Sequence, residues 1–448
     1  MSITPLTVGI IGIIVLFVLL VMGMNIGTCM MTIGFFGSWI VYIVKGKTIA
    51  QALTSAFTCF KVIPFTQATN YSFVVIPIFV LMGQICYYSG MSAGLYDMCQ
   101  KLLGRVKGGL AMATVVACAL FGAICGSSAA TAATMGVVAL PEMKKHGYDD
   151  GLSCGSIAAG GTLGILIPPS TGFILFGIVS GESVGKLFAA GIIPGIVLAL
   201  CFCVTIYIMC TVNKKLAPET VKYSWKEKLL SLKGGIMMVI LFAIVIGGIL
   251  TGYFTAVEAS AVGTVISFIY LLARRRFTFK VFMDCMRETV KISGMIFLIL
   301  IGAYVFGNFL TTSGLSTALS TFVAGLNVSR YIILAIVLVI YAILGCLMDS
   351  LAMVMLTVPI FYPILVTTLG FNGIWYGVIM VMVMEMGLIT PPVGMNVYIV
   401  SGVAKDVPLQ KIFKGVAPLI LGMVAAILIV IIFPQLATWL PSITVGNG

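Results

Sequence analysis

The chain has 448 residues and a formal net charge of +12; 61% of its residues are hydrophobic and only 8% are charged, at a mean hydropathy of +1.20. No soluble domain of this size covers its surface with so little charge, so the composition excludes a soluble enzyme and predicts an all-α polytopic membrane protein. The basic residues cluster in short loops, where they orient membrane spans rather than recruit nucleic acid.

Taken in chain order, the opening MSITPLTVGI lacks the charged region and small-residue cleavage site of a secretory signal, so residues 7–24 read as a retained span. Further apolar runs that approach the length needed to cross a bilayer, about 20 residues, fall at 26–44, 71–89, 109–124, 187–211, 235–251, 257–273, 292–311, 331–348 and 415–440. Residues 125–180 and 349–402 are apolar but interrupted. Twelve cysteines lie scattered, mostly in apolar segments, with no CxxC and a single histidine, His146, in the chain. They read as buried packing residues and not as a metal site.

A hydrophilic stretch from Asn213 to Lys233, with Lys214, Lys215, Lys222, Lys226, Lys228 and Lys233, divides the chain. The expected organisation is an N-terminal half over 1–212, a cytoplasmic connecting segment over 213–234 and a C-terminal half over 235–448. Arg274, Arg275, Arg276 and Lys280 mark a second cytoplasmic loop, which leaves Thr251 to Thr255 as a turn on the outer face. Loops in matching positions of the halves carry opposite charge bias. Lys101, Arg105, Lys107, Lys144 and Lys145 in the first half face nearly uncharged counterparts in the second, whereas Lys405, Lys411 and Lys414 face a single lysine, Lys186. Equivalent loops are therefore expected on opposite sides of the membrane, which is an inverted-topology repeat. Lys45, Lys47 and Lys61 fit this arrangement poorly, since it places them outside.

The halves share a pattern at a constant offset. Gly122, Ser127, Ala129, Thr134, Gly147, Gly164, Pro168 and Pro169 recur as Gly345, Ser350, Ala352, Thr357, Gly370, Gly387, Pro391 and Pro392. Each unit reads as a re-entrant helical hairpin followed by a helix broken at Pro-Pro: about 122–150 and 151–180 in the first half, about 345–372 and 373–402 in the second. A diproline removes two backbone N–H donors and leaves preceding carbonyls without partners, and such carbonyls cannot face lipid. They can ligate a small hard cation such as Na+, with the Ser127 and Ser350 hydroxyls beside a glycine turn. Beyond each break, the segments from Ser170 and Val393 would offer N–H groups and a positive dipole end to an anion. Gly122 and Gly126 also form a GxxxG, which by itself suggests helix packing.

Acids at apolar depth are functional candidates. Asp349, beside Ser350 at a hairpin turn, would strengthen a cation site or cap a helix. Glu385 suits either a protonation site or a packing residue. Glu258, near the outer turn, reads as structural, and His146, in a charged loop beside Lys145 and Asp149, as non-catalytic.

The segments GSSAAT at 126–131, GILIPPS at 164–170, TGYFTAVEA at 251–259 and GLITPPVG at 387–394 resemble the large membrane subunit of a TRAP (tripartite ATP-independent periplasmic) transporter, a DctM-like permease, over essentially the whole chain. The resemblance implies a secondary transporter of the inner membrane in which a scaffold holds a mobile transport domain that moves as an elevator. It implies two Na+ ions, one at Ser127, Gly164, Ile167 and Pro169 and one at Ser350, Gly387, Thr390 and Pro392, with Asp349 nearby. Substrate is expected against Ser128, Thr131, Ser170, Thr171, Gly394 and Asn396. The implied substrate is a small organic acid such as a C4-dicarboxylate or sialic acid, delivered by a periplasmic substrate-binding protein. A four-span small membrane subunit is the other implied partner, and the length of the chain suggests that it is separate.

Two other readings compete. A stand-alone Na+/dicarboxylate symporter would use the same fold without a binding protein. A membrane-embedded hydrolase using Ser127 or Ser128 would need a base, and no His or Lys lies in the apolar stretch around these serines, the nearest being Lys144, Lys145 and His146 in the charged loop. A non-transporting scaffold gives no reason for paired breaks.

Overall fold

The structure, a computed structural model, describes residues 4–218 and 223–444. Lys222 of the connecting segment lies outside the described residues. All regular structure among them is helical, and nine helices are long and apolar enough to cross a membrane. Polar caps punctuate the apolar helices. Thr48 with Gln51, Ser224 with Glu227 and Thr255 with Glu258 each form a capping box, satisfying backbone donors that a bilayer would leave unpaired. Glu258 is thereby a structural residue. The TGYFTAVEA segment is a turn through Gly252, at φ +77°, that leads into this cap.

The chain divides into two compact units, the first comprising Met1–Val74, Val290–Val337 and Leu351–Gly373. In it, helix Ile26–Val44 packs against helix Phe279–Ser313 through glycines. A Cβ on Gly27 would lie 2.8 Å from the Leu298 carbonyl oxygen, and one on Gly34 would lie 2.8 Å from the Phe306 nitrogen. Lys45, the lysine that fits the charge rule poorly, donates to the Thr312 carbonyl at 2.7 Å, at the C-terminal end of that long helix. A cation there meets the negative end of the helix dipole, which gives this lysine a local role independent of topology.

The second unit comprises Val75–Thr289, Leu338–Ser350 and Ile374–Gly448. Its first hairpin has a longer inbound arm than the sequence suggested. Helix Gly109–Cys125 is one arm and Ser128–Lys145 the other, so the apolar run at 109–124 belongs to this hairpin. The arms are antiparallel: Thr114 donates to Met143 at 3.5 Å, and the Leu110 N–H donates to the Tyr148 hydroxyl at 3.2 Å. Gly126, in the left-handed region at φ +62°, ends the first arm, and extended Ser127 caps the second. Only glycine enters that conformation without cost.

The second hairpin likewise starts earlier, with arms Arg330–Gly345 and Ser350–Tyr362, the latter continuing as a π-helical turn over Pro363–Thr368. Tyr331 stacks edge-on against Phe371 at 5.6 Å, closing its base. The apolar run at 331–348 is therefore an arm as well. The run at 415–440 is interrupted, with helix Leu409–Ile432 ending before Pro434 and Gln435–Thr444 following.

The two broken helices of the second unit run antiparallel. Phe176, late in the first, packs at 5.8 Å on Tyr376, early in the second; a Cβ on Gly136, of the first hairpin, would lie 3.5 Å from Val403, where the second ends. Lys144 pairs with Asp406 at 2.5 Å, Lys411 pairs with Asp149 and Asp150 at 3.1 Å each, and the Leu216 carbonyl accepts from the Asp149 N–H. Three loops that the charge pattern assigns to the cytoplasm thus touch one another.

Candidate functional site

Each hairpin meets its broken helix backbone to backbone. A Cβ on Gly122 would lie 2.4 Å from the Gly164 Cα, and one on Gly387 would lie 2.4 Å from the Gly345 carbonyl carbon. This is the physical reason the two glycine pairs recur: no side chain fits between the chains. Gly126 serves as a helix terminator, and a Cβ there would lie 3.0 Å from the Pro169 carbonyl oxygen.

At the first junction, the diproline follows a short helical turn, Leu163–Leu166. Residues four positions after Gly164 and Ile165 are Pro168 and Pro169, which have no N–H to give. Among the described residues neither the Gly164 nor the Ile165 carbonyl receives a hydrogen bond. Thr131 brings a buried hydroxyl without a hydrogen-bond partner. A Cβ on Gly164 would lie 2.6 Å from that Oγ1 and 2.9 Å from the Ser127 carbonyl oxygen, so a cradle of oxygens surrounds a position kept bare. Residues 161–177 are buried throughout. Polar oxygens buried without donors cost about 1–3 kcal/mol each, and a hard cation is the partner that oxygen donors of this kind suit.

The hydroxyls here have divided roles. Thr171 donates to the Gly126 carbonyl at 2.7 Å, fastening break to hairpin tip. Ser170 caps helix Thr171–Ser180 by accepting from the Phe173 N–H at 3.2 Å, and Ser127 caps its own helix from Ala130 at 3.4 Å. The start of helix Thr171–Ser180 is consequently less open to an anion than the sequence implied, since the N–H groups of Thr171 and Phe173 are already taken. The Ser127, Thr131 and Ser170 hydroxyls keep protons to donate. Ile167 and Pro169 lie in the buried break itself.

The second junction differs. The Gly387 carbonyl accepts from the Thr390 N–H at 3.2 Å, and the Leu388 carbonyl from the Asn396 N–H at 3.0 Å. Thr390 donates its hydroxyl to the Met386 carbonyl at 2.6 Å. Pro391, Pro392 and Val393 are exposed, and Gly394, at φ +60°, starts helix Met395–Val403 without a side-chain cap. Asn396 is fully buried, reaches across to the Ala158 carbonyl of the first half at 3.3 Å, and keeps its Oδ1 unpartnered. Both diproline bonds, Pro168-Pro169 and Pro391-Pro392, are cis.

Glu385 joins the junctions. It is the one charged side chain fully buried among the described residues. Its Oε2 accepts from Ser128 at 2.5 Å and its Oε1 from Ser350 at 2.8 Å, the serines that open the return arms of opposite hairpins. The Ser128 proton is thereby committed, so this hydroxyl offers an anion no donor. Asp349 occupies the residue before helix Ser350–Tyr362, half-buried. An acid in an apolar helix was visible in the sequence, but the reach of Glu385 to both tips was not. All twelve cysteines are free, and no cluster of metal-ligating side chains occurs among the described residues.

Residues 13–436 match the family described as the tripartite ATP-independent periplasmic transporter, DctM component. The chain belongs to this family. It is 36% identical over 84% of its length, and 88% of the relative's, to a C4-dicarboxylate TRAP transporter large permease protein DctM of Pseudomonas aeruginosa. It is 30% identical to the sialic acid permease protein SiaM of Vibrio cholerae, covering 85% and 88% of the two chains. A third relative, the isethionate permease protein DctMQ of Oleidesulfovibrio alaskensis, is 31% identical, covering 90% of this chain and 65% of its own length. The fold is shared with the YdaH transporter of Alcanivorax borkumensis, at a TM-score of 0.61 and 15% identity over 89% of this chain and 91% of that one. The protein is thus a multi-pass TRAP permease subunit and a transporter, not an enzyme.

Proposed function

We propose that this permease takes up a small organic acid across the bacterial inner membrane by Na+ symport, with an elevator movement of the hairpins and broken helices. The observation that carries the reading is the first junction's supply of unsatisfied oxygen: the carbonyls of Gly164 and Ile165, buried and without donors, and the unpartnered Thr131 hydroxyl beside Gly164. Na+ is the chemistry such a neutral oxygen set suits, since it carries no carboxylate that a divalent ion would favour. A second, weaker Na+ position would lie at Ser350, Thr390 and Pro392 beside Asp349, where backbone donors already satisfy Gly387 and Leu388. The antiparallel broken helices and the touching basic loops support an inverted repeat.

The substrate would be held by donors that remain uncommitted, the Ser127, Thr131 and Ser170 hydroxyls and the second Nδ2 proton of Asn396, with bound Na+ supplying the positive charge that no buried Lys or Arg among the described residues provides. Relatives named for C4-dicarboxylate, sialic acid and isethionate support an organic acid as cargo. As in the tripartite family, the working system would include a small membrane subunit and a periplasmic binding protein. The test is uptake into proteoliposomes with both partners. An imposed inward Na+ gradient should drive accumulation of the acid carried by the binding protein, and equal uptake with choline in place of Na+ would reject the reading.

A further inference from the structure

The carboxylate of Glu385 sits where two halves of the repeat meet, and nothing in the repeat itself accounts for it: the equivalent first-half position is Thr162, whose hydroxyl bonds its own helix at the Ala159 carbonyl. Burying a carboxylate costs several kcal/mol unless charge-assisted hydrogen bonds replace its water. Here two serines do so, one from each hairpin tip, at 2.5 and 2.8 Å. Each hydroxyl has a single proton, and each gives it to Glu385. What remains on Ser128 and Ser350 is oxygen lone pairs, turned away from the carboxylate.

We propose that Glu385 is a positioning residue with two effects. It ties the tips of the two hairpins so that they move together, and it fixes both serine hydroxyls as acceptors, presenting oxygen to a cation instead of protons to an anion. The second effect rests on the Na+ reading above; the first does not. Binding at one junction is then felt at the other, because the carboxylate that orients Ser128 is the one that orients Ser350.

The experiment uses the purified full-length chain with E385L, E385Q, S128A and S350A, reading hydrogen–deuterium exchange over residues 122–134 and 345–357 and the Na+ concentration that half-protects the protein thermally. Replacing a buried acid by a similar-sized apolar residue is often tolerated, so E385L is expected to fold. It should speed exchange at both tips by about tenfold, the effect of a lost hydrogen bond of ordinary strength. S128A should loosen the distant 345–357 segment as well as its own, and S350A the reverse. Faster exchange confined to the mutated element in all three variants would overturn the tie.

E385Q separates the two effects. Its amide can still hold both serines, but its NH2 donates to one of them and reverses that hydroxyl. Exchange should stay near wild type while the half-protecting Na+ concentration rises about tenfold, a change of about 1.4 kcal/mol in Na+ affinity. An unchanged Na+ response in E385Q would overturn the orienting role. A wild-type protein insensitive to Na+, with both tips loosened by E385L, would reject the symport reading and uphold the tie.

Discussion

The two diproline junctions share a sequence pattern and differ in chemistry. The first is sealed, with residues 161–177 buried, two carbonyls without donors and a serine cap on the outgoing helix. The second is open at Pro391–Val393, its two corresponding carbonyls are re-satisfied by Thr390 and Asn396, and its outgoing helix starts at an uncapped glycine. A diproline therefore removes donors but does not decide whether others replace them. That depends on the next few residues: at the second junction Asn396 folds its N–H back over the break, whereas Ser170 spends its side chain on its own helix. Duplicated backbone breaks can thus give one sealed junction with donor-free oxygens and one exposed junction whose carbonyls are satisfied.

The contrast can be broken most forcefully at the glycines. Gly387→Ala would drive a Cβ to 2.4 Å from backbone carbon of Gly345, where no rotamer change relieves it. A loss of stability on the order of 3 kcal/mol is expected from such overpacking, seen as a large drop in the thermal midpoint in detergent. Gly164→Ala meets the movable Thr131 hydroxyl as well as the Ser127 carbonyl, so it should cost less stability but abolish Na+ protection. A variant that melts like wild type at either site would show that the close approach carries little weight.

Thr131→Val sharpens the contrast with an effect of opposite sign. It removes a buried hydroxyl without a partner, so the Na+-free protein should gain about 1 kcal/mol while losing most of its stabilisation by Na+. Thr390→Val removes a hydroxyl already spent on the Met386 carbonyl, and its Na+ response should change little. Equal effects at the two threonines would dissolve the distinction between the junctions.

The smallest effect expected is at the loops that join the ends of the halves. The Lys144 ammonium beside Asp406 holds its carboxyl below the ordinary carboxylate range. A depressed pKa stabilises the folded state above the ordinary value, and that contribution is lost as pH falls through the depressed one. Lys144→Met should therefore flatten the acid-side decline of the thermal midpoint slightly and leave neutral pH almost unaffected, because Asp406 is exposed and its pairing is screened by salt. A strong neutral-pH loss would mean the pair does more than an exposed ion pair can.

Much of this architecture was legible because membranes punish irregular backbone: glycine, proline and serine stand out against apolar sequence, so both breaks and both hairpin turns could be located. The grouping of loops was legible from lysines, since those at Lys144, Leu216 and Lys411 do touch in the structure. The arms of the hairpins were not, because Gly109–Cys125 and Arg330–Gly345 are as apolar as true spans, and only their antiparallel partners reveal the turn. Helix Ile49–Ala68 escaped notice because Thr54, Ser55, Thr58 and Thr66 lower its hydropathy, yet each spends its hydroxyl on the carbonyl four residues back. At the site, Ser127, Gly164 and Gly387 were marked by their setting. The division of hydroxyls into spent and available protons was not, since it depends on neighbours far along the chain, as Ser128 and Glu385 show.

The facing glycines carry a consequence for how such a chain can change over time. Where main chain lies directly on main chain, one glycine of each pair admits no addition, Gly122 because it faces Gly164 and Gly387 because it faces Gly345. Change over time is thereby steered away from these two seams and into the hydroxyl-bearing positions around them, where an exchanged side chain does not pry the backbones apart.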